Sequence, residues 1–206
     1  MTRLPAGRVG PGALTAAGRV LVAGVGNIFR GDDGFGPAVV EWLHRDAVGP
    51  WPDGVVVRDY GIRGVHLAYD LLDGYDDVVF VDTMHRGGEP GTVYVVEPAL
   101  DACRAGAVQG SMVAPSLDAH DLAPEAVLAL VPDLGGSLGR VTVVGCEPVS
   151  LADGIGLSPA VSEQVPSAGR IVRGLVAHAV GTRGSVPRAA SADHRVGVRH
   201  GPVGGQ

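Results

Sequence analysis

The stretch Arg19-Val20-Leu21-Val22-Ala23-Gly24-Val25-Gly26-Asn27-Ile28-Phe29-Arg30-Gly31-Asp32-Asp33-Gly34-Phe35-Gly36 decides the fold. It opens on an apolar run without polar alternation, as a strand buried on both faces of a parallel sheet requires. Glycines and polar residues then break the run. From Phe35 the period changes: Phe35, Val39 and Leu43 recur every four residues with Val40 beside them, the stripe of a helix lying on a sheet. Strand, glycine-rich loop and amphipathic helix in that order open an α/β fold.

Downstream, the same unit repeats. Val55 to Asp59 reads as a second strand, and Val65, Ala68, Leu71 and Leu72 as a second helical stripe after the turn Tyr60-Gly61-Ile62-Arg63-Gly64. Asp77 to Asp82, with Val78-Val79-Phe80-Val81 at its centre, is a third buried strand. This βαβαβ order predicts a doubly wound sheet. The next link, Thr83 to Gly91, is too short for a parallel crossover, so Thr92 to Val96 is predicted to run antiparallel at an edge. A loop from Glu97 to Ala119 then returns the chain to the carboxyl edge. A helix is expected from about Asp121, with Pro124 in its first turn and Ala126, Val127 and Leu130 inward. Arg140 to Gly145 is the last strand. Ser158-Pro159 marks the start of a final helix with the stripe Val161, Val165, Ala168, Val172, Leu175 and Ala179, which Pro166 should kink or split. The expected architecture is a single three-layer α/β domain over residues 18–180. Its twisted, mostly parallel five-stranded sheet carries one antiparallel edge strand and helices on both faces. Residues 1–17 read as a flexible extension and 181–206, which lack periodicity, as a disordered tail.

Composition narrows the function. The 206 residues carry a formal charge of −6, which argues against a nucleic-acid partner. Every basic side chain other than histidine is arginine, a coding bias rather than chemistry. Cys103 and Cys146 are far apart and lack metal-type spacing, which suits a reduced compartment. No signal-peptide core and no apolar run of membrane length occur. The sequence therefore reads as that of a soluble, cytoplasmic protein.

In an open α/β sheet the functional crevice lies beyond the carboxyl ends of the strands. Three polar stretches are predicted to reach it: Asn27, Asp32 and Asp33 after the first strand, Asp82 ending the third, and Asp118, His120 and Asp121 closing the return loop. Two carboxylates and an imidazole make a mixed ligand set for a divalent transition metal with open positions. Each residue also has a structural reading: Asp32 and Asp33 as helix-start carboxylates, Asp82 as a turn acceptor, His120 as a helix-start residue. Nucleotide binding fits poorly. Phe29 stands where the dinucleotide fingerprint needs glycine, no lysine completes a phosphate loop, and the acidic pair would repel a pyrophosphate. There is no His-Glu-x-x-His motif and no Gly-x-Ser-x-Gly elbow. Cys146 reads as a buried, inert thiol.

The segment Gly24 to Gly36 resembles the N-terminal signature of the [NiFe]-hydrogenase maturation endopeptidases. Val78-Val79-Phe80-Val81-Asp82 is similar to that family's second acidic motif and Pro90-Gly91-Thr92 to its following turn. Ser116-Leu117-Asp118-Ala119-His120-Asp121-Leu122 resembles its histidine motif. Gly145-Cys146-Glu147-Pro148 and Gly156-Leu157-Ser158-Pro159 match two later landmarks. The segment Asp59 to Gly64 differs from the Asp-Gly-Gly-Thr type found in part of the family. The resemblance implies an endopeptidase that trims the C-terminal tail of a hydrogenase large-subunit precursor. It implies that Asp33, Asp82 and His120 contact nickel already held by that substrate, with no organic cofactor and no nucleic-acid or membrane partner. Water as nucleophile, with Asp32 or Asp33 as base, is the corresponding chemistry. Two other functions use the same residues: a hydrolase with its own zinc or manganese, and a non-catalytic nickel-sensing chaperone.

Overall fold

The computed structural model describes residues 18–46, 49–98 and 124–183. One sheet contains β1 (Val20–Val25), β2 (Val55–Gly61), β3 (Asp77–Thr83), β4 (Val93–Val96) and β5 (Arg140–Cys146), in the spatial order β2-β1-β3-β5-β4. The β1–β2, β1–β3 and β3–β5 pairs are parallel. β4 pairs antiparallel with β5 at the edge, Val93 opposite Cys146, as the short link after β3 requires.

The helices are α1 (Phe35–Arg45), α2 (Gly64–Leu71), α3 (Pro124–Asp133), α4 (Pro159–Ser162) and α5 (Val165–Arg183). Alternate residues of the central strands enter opposite cores. Val20, Val22, Val79 and Val81 meet Phe35, Val39, Leu43 and Val172 from α1 and α5. Leu21, Ala23, Val78 and Phe80 meet Leu67, Leu71, Val127 and Val131 from α2 and α3. Burying each of these aliphatic or aromatic side chains contributes about 1.5–3 kcal/mol, which is why the purely apolar strands take the centre. Gly36 brings α1 against the sheet. A Cβ there would lie 2.2 Å from the Val25 carbonyl oxygen and 2.3 Å from that of Val81, so the start of α1 presses directly on the ends of β1 and β3.

Four helical details differ from the sequence reading, and one agrees with it. The inner stripe of α2 is Gly64, Leu67, Ala68 and Leu71; Val65 is only half-buried, and Leu72, beyond the helix, is exposed. In α3 Val127, Leu128 and Val131 are buried, whereas Ala126 and Leu130 are only half-buried, because the helix is rotated onto α2 by about one residue. The final helix is split, as Pro166 predicts, with Glu163 and Gln164 between its two parts. Val176 rather than Leu175 continues the α5 core stripe. α5 also runs through Gly181 to Arg183, so these three residues, expected within the tail, are helical. Residues 184–206, the extension 1–17 and the return loop with Asp118, His120 and Asp121 lie outside the described residues.

Candidate functional site

β1 ends at Val25, and a 3-10 turn, Gly31–Gly34, then leads into α1. This turn carries Asp33 to the end of β3. Asp33 Oδ2 accepts a hydrogen bond from the Asn27 amide at 2.9 Å, and Asp33 Oδ1 accepts one from the Thr83 hydroxyl at 3.2 Å. Asp82 Oδ1 accepts from the Thr83 amide at 2.7 Å. The two carboxylates predicted to converge therefore meet around one residue, and both are half-buried. Gly26, with φ +130°, lies beneath them: a Cβ there would be 1.9 Å from the Asp33 carbonyl oxygen and 3.7 Å from Asp82 Oδ1. That backbone conformation and that contact require glycine. His120 lies outside the described residues, among which no group of three or more His, Cys, Asp or Glu forms a metal cluster. Asp33 and Asp82 supply two hard oxygen donors that suit a divalent ion needing further ligands from elsewhere.

Asp32, next to Asp33 in the chain, does something different. It is 1% exposed. Its carboxylate accepts from the amides of Val149 (2.8 Å), Ser150 (3.2 Å) and Ser158 (2.6 Å) and from the Ser158 hydroxyl (3.0 Å). Backbone bonds reinforce the junction: Asp32 N to Ser150 O at 3.1 Å, Gly31 N to Gly154 O at 3.0 Å and Gly154 N to Phe29 O at 2.9 Å. All four side-chain bonds of Asp32 reach the segment before α4 and none its own turn. It fastens the loop before α1 to the loop before α4, and with its oxygens so occupied it is not a base for water. Of the two residues read as possible bases, Asp32 or Asp33, the first is therefore structural.

Sequence reasoning missed Glu147, noted only within a landmark. It is 1% exposed and accepts from the amides of Arg86 (2.8 Å) and Gly87 (3.0 Å) and from the Tyr94 hydroxyl (3.0 Å). His85 Nδ1 lies 2.9 Å from Glu147 Oε1, the oxygen that also accepts from Gly87. Glu147 thus clamps the β3–β4 connection immediately after Asp82 and Thr83. An apolar strand followed by an isolated acid before proline was the available signal, but its partners are remote in sequence.

For both Asp32 and Glu147 burial pushes the carboxyl pKa up, but the converging donors outweigh it. Amides and the Ser158 hydroxyl hold Asp32 below its ordinary 3.8, and the Arg86 amide, the Tyr94 hydroxyl and the Gly88 and Gly87 amides hold Glu147 below 4.5. A depressed folded-state pKa stabilises the fold above the unfolded value, and that stability is lost as pH falls through the folded one. The thermal midpoint should accordingly stay level from neutrality to about pH 5 and fall steeply below about pH 4. A midpoint that holds to pH 3 would show that these clamps contribute little. Cys146 is fully buried; burial first, then the nearby Asp32 and Glu147 carboxylates, push its thiol up to about 11. It is no nucleophile at neutral pH.

A groove of about 460 Å³ opens beside the Gly31–Gly34 turn, lined by Ile28, Gly31, Gly34, Pro37, Asp59 and Leu157 among others. Neither Asp33 nor Asp82 lines it. Ile28 and Ile155 of its lining are exposed, the latter by 84%, and so is Phe29, next to Ile28 in the chain, an apolar margin suited to a protein partner. No helix among the described residues is long and apolar enough to cross a membrane.

Comparison with known proteins agrees with this architecture. A family model described as hydrogenase maturation protease matches residues 37–174, from α1 into α5 and including Asp82. The hydrogenase expression/formation protein HupD of Rhizobium leguminosarum bv. viciae is 33% identical over 137 residues, 66% of this chain and 63% of that protein. The chain thus spans somewhat less than two thirds of that relative. The hydrogenase 2 maturation protease of Escherichia coli (strain K12) is 30% identical over 155 residues, 73% of this chain and 85% of that one. The solved hydrogenase maturating endopeptidase HybD from E. coli superimposes with a TM-score of 0.61 at 27% identity, covering 77% and 91% of the two chains. With the motifs in order, the sheet folded alike and the match running from α1 into α5, this chain belongs to the hydrogenase maturation protease family.

Proposed function

We propose that this protein is a cytoplasmic endopeptidase that removes the C-terminal tail of a [NiFe]-hydrogenase large-subunit precursor once nickel has been inserted. The observation that carries the proposal is the meeting of Asp33 and Asp82 around Thr83 at the carboxyl edge of the sheet. Together with His120, assigned by motif resemblance, they form an oxygen and nitrogen ligand set that nickel accepts. Nickel arrives as part of the substrate, so an incomplete set of protein ligands is enough. Docking of the precursor against the apolar rim would hold its tail at the reacting centre. No organic cofactor takes part.

In the hydrolysis, a water oxygen bonds to the scissile carbonyl carbon. Its proton passes to a base and on to the departing amine as the C–N bond breaks. Asp32 is buried under four donors, so in this reading the base of the acidic pair is Asp33, which is half-buried and accepts one donor on each oxygen.

The deciding experiment incubates chelator-treated protein with nickel-loaded and with nickel-free precursor and measures intact masses. Only the loaded precursor should shorten. Equal cleavage of both, or an absolute need to re-add zinc to the enzyme, would reject this mechanism. Stable binding without a change in subunit length would favour an assembly chaperone.

A further inference from the structure

Thr83 is the last residue of β3. Along that strand Val79 and Val81 enter the core beneath α1, whereas Val78 and Phe80 enter the opposite core. The same alternation sets Asp82 and Thr83 on opposite faces. Asp33 arrives on the α1 face, so Thr83 is its partner there, not Asp82. The Thr83 hydroxyl donates to Asp33 Oδ1 at 3.2 Å while the Thr83 amide donates to Asp82 Oδ1 at 2.7 Å. The hydroxyl is also 3.5 Å from Asp82 Oδ1, but its single hydrogen serves one acceptor at a time, and the shorter contact is to Asp33.

We propose that Thr83 is a positioning residue for the reaction: both carboxylates hang from it, one from its amide and one from its hydroxyl, and this sets their separation. The amide is guaranteed by the backbone. The hydroxyl is a property of this side chain and is therefore the part that can be tested. Asp33 has a second anchor in the Asn27 amide, so losing the hydroxyl lets its carboxylate swing about that anchor instead of releasing it altogether. A misplacement of about 1 Å at a reacting centre is enough to cost on the order of 100-fold in rate. The functional part of this inference rests on the maturation reading above.

The test compares Thr83→Val, which keeps the branched shape and removes the hydroxyl, with Thr83→Ser, which keeps the hydroxyl. With nickel-loaded precursor, the valine variant should lose roughly 10- to 100-fold in kcat with KM little changed, and serine should stay within about threefold of the unaltered chain. Crystal structures of both should show the Asp33 carboxylate displaced relative to Asp82 with valine and in place with serine. If the valine variant does not fold, Thr83→Ala against Thr83→Ser isolates the same hydroxyl. Unmoved carboxylates in the hydroxyl-free variant, wild-type kcat in that variant, or a serine variant as slow as valine would each overturn the proposal. Failure of the unaltered chain to process any precursor would reject the maturation reading, and the crystallographic comparison would still decide what Thr83 does.

Discussion

Asp33→Ala and Asp82→Ala should each slow tail removal by at least about 100-fold, while the protein still melts in one cooperative transition. The rate loss follows from geometry. Each substitution takes one of two carboxylates from the edge where nickel would be contacted, and even residues that only support a metal ligand cost roughly 10- to 100-fold. The fold survives because both side chains are only half-buried at the sheet edge, outside the two apolar cores. His120→Ala is expected to behave in the same way, on the strength of its motif. Intact-mass assays of precursor processing, paired with thermal melts of each variant, check this. Loss of cooperative unfolding in all three variants would instead make these residues structural, and full processing by the Asp82 variant would remove it from the site.

One position earlier, the same substitution fails for the opposite reason. Asp32→Ala should destabilise the fold by about 3 kcal/mol or more, because three amides and a hydroxyl lose a buried acceptor at once. For a chain of this size that lowers the melting midpoint by roughly 6–12 °C. The loops before α1 and α4 would separate, and activity would fall at temperatures where the variant is loosened but recover on cooling. Asp32→Asn, which keeps one acceptor oxygen, should lose less. Differential scanning calorimetry of Asp32→Ala beside Asp33→Ala reads the contrast directly. A midpoint for Asp32→Ala equal to that of the unaltered chain would show that the clamp has little energetic weight.

The contrast between Asp32 and Asp33 marks where sequence reading stopped. Local periodicity determined most of the architecture. Uninterrupted apolar runs can only be strands covered on both sides, and the link after Asp82 is too short to cross over, so β4 had to turn back at the edge. Pro166 lacks an amide hydrogen and lies just after the break between α4 and α5. The carboxyl-edge rule likewise put Asp33 and Asp82 together, since one follows β1 and the other lies at the end of β3, parallel neighbours in the sheet. These inferences needed only near neighbours in sequence or the order of elements.

Roles that depend on which loops touch were not legible. Asp32 and Asp33 are adjacent, equally acidic and equally close to a helix start, so nothing local separates them. Asp32 became structural because the Ser158 amide, 126 residues away in the chain, closes on its carboxylate. Glu147 was decided in the same way by the amides of Arg86 and Gly87, about 60 residues earlier. Thr83 read only as the first residue of a short link, whereas its hydroxyl meets Asp33, 50 residues back. Burial periodicity is written into consecutive residues because each element must hide one face from water. The partner of a polar side chain at a sheet edge is chosen only when separate loops pack, and that choice belongs to the tertiary structure.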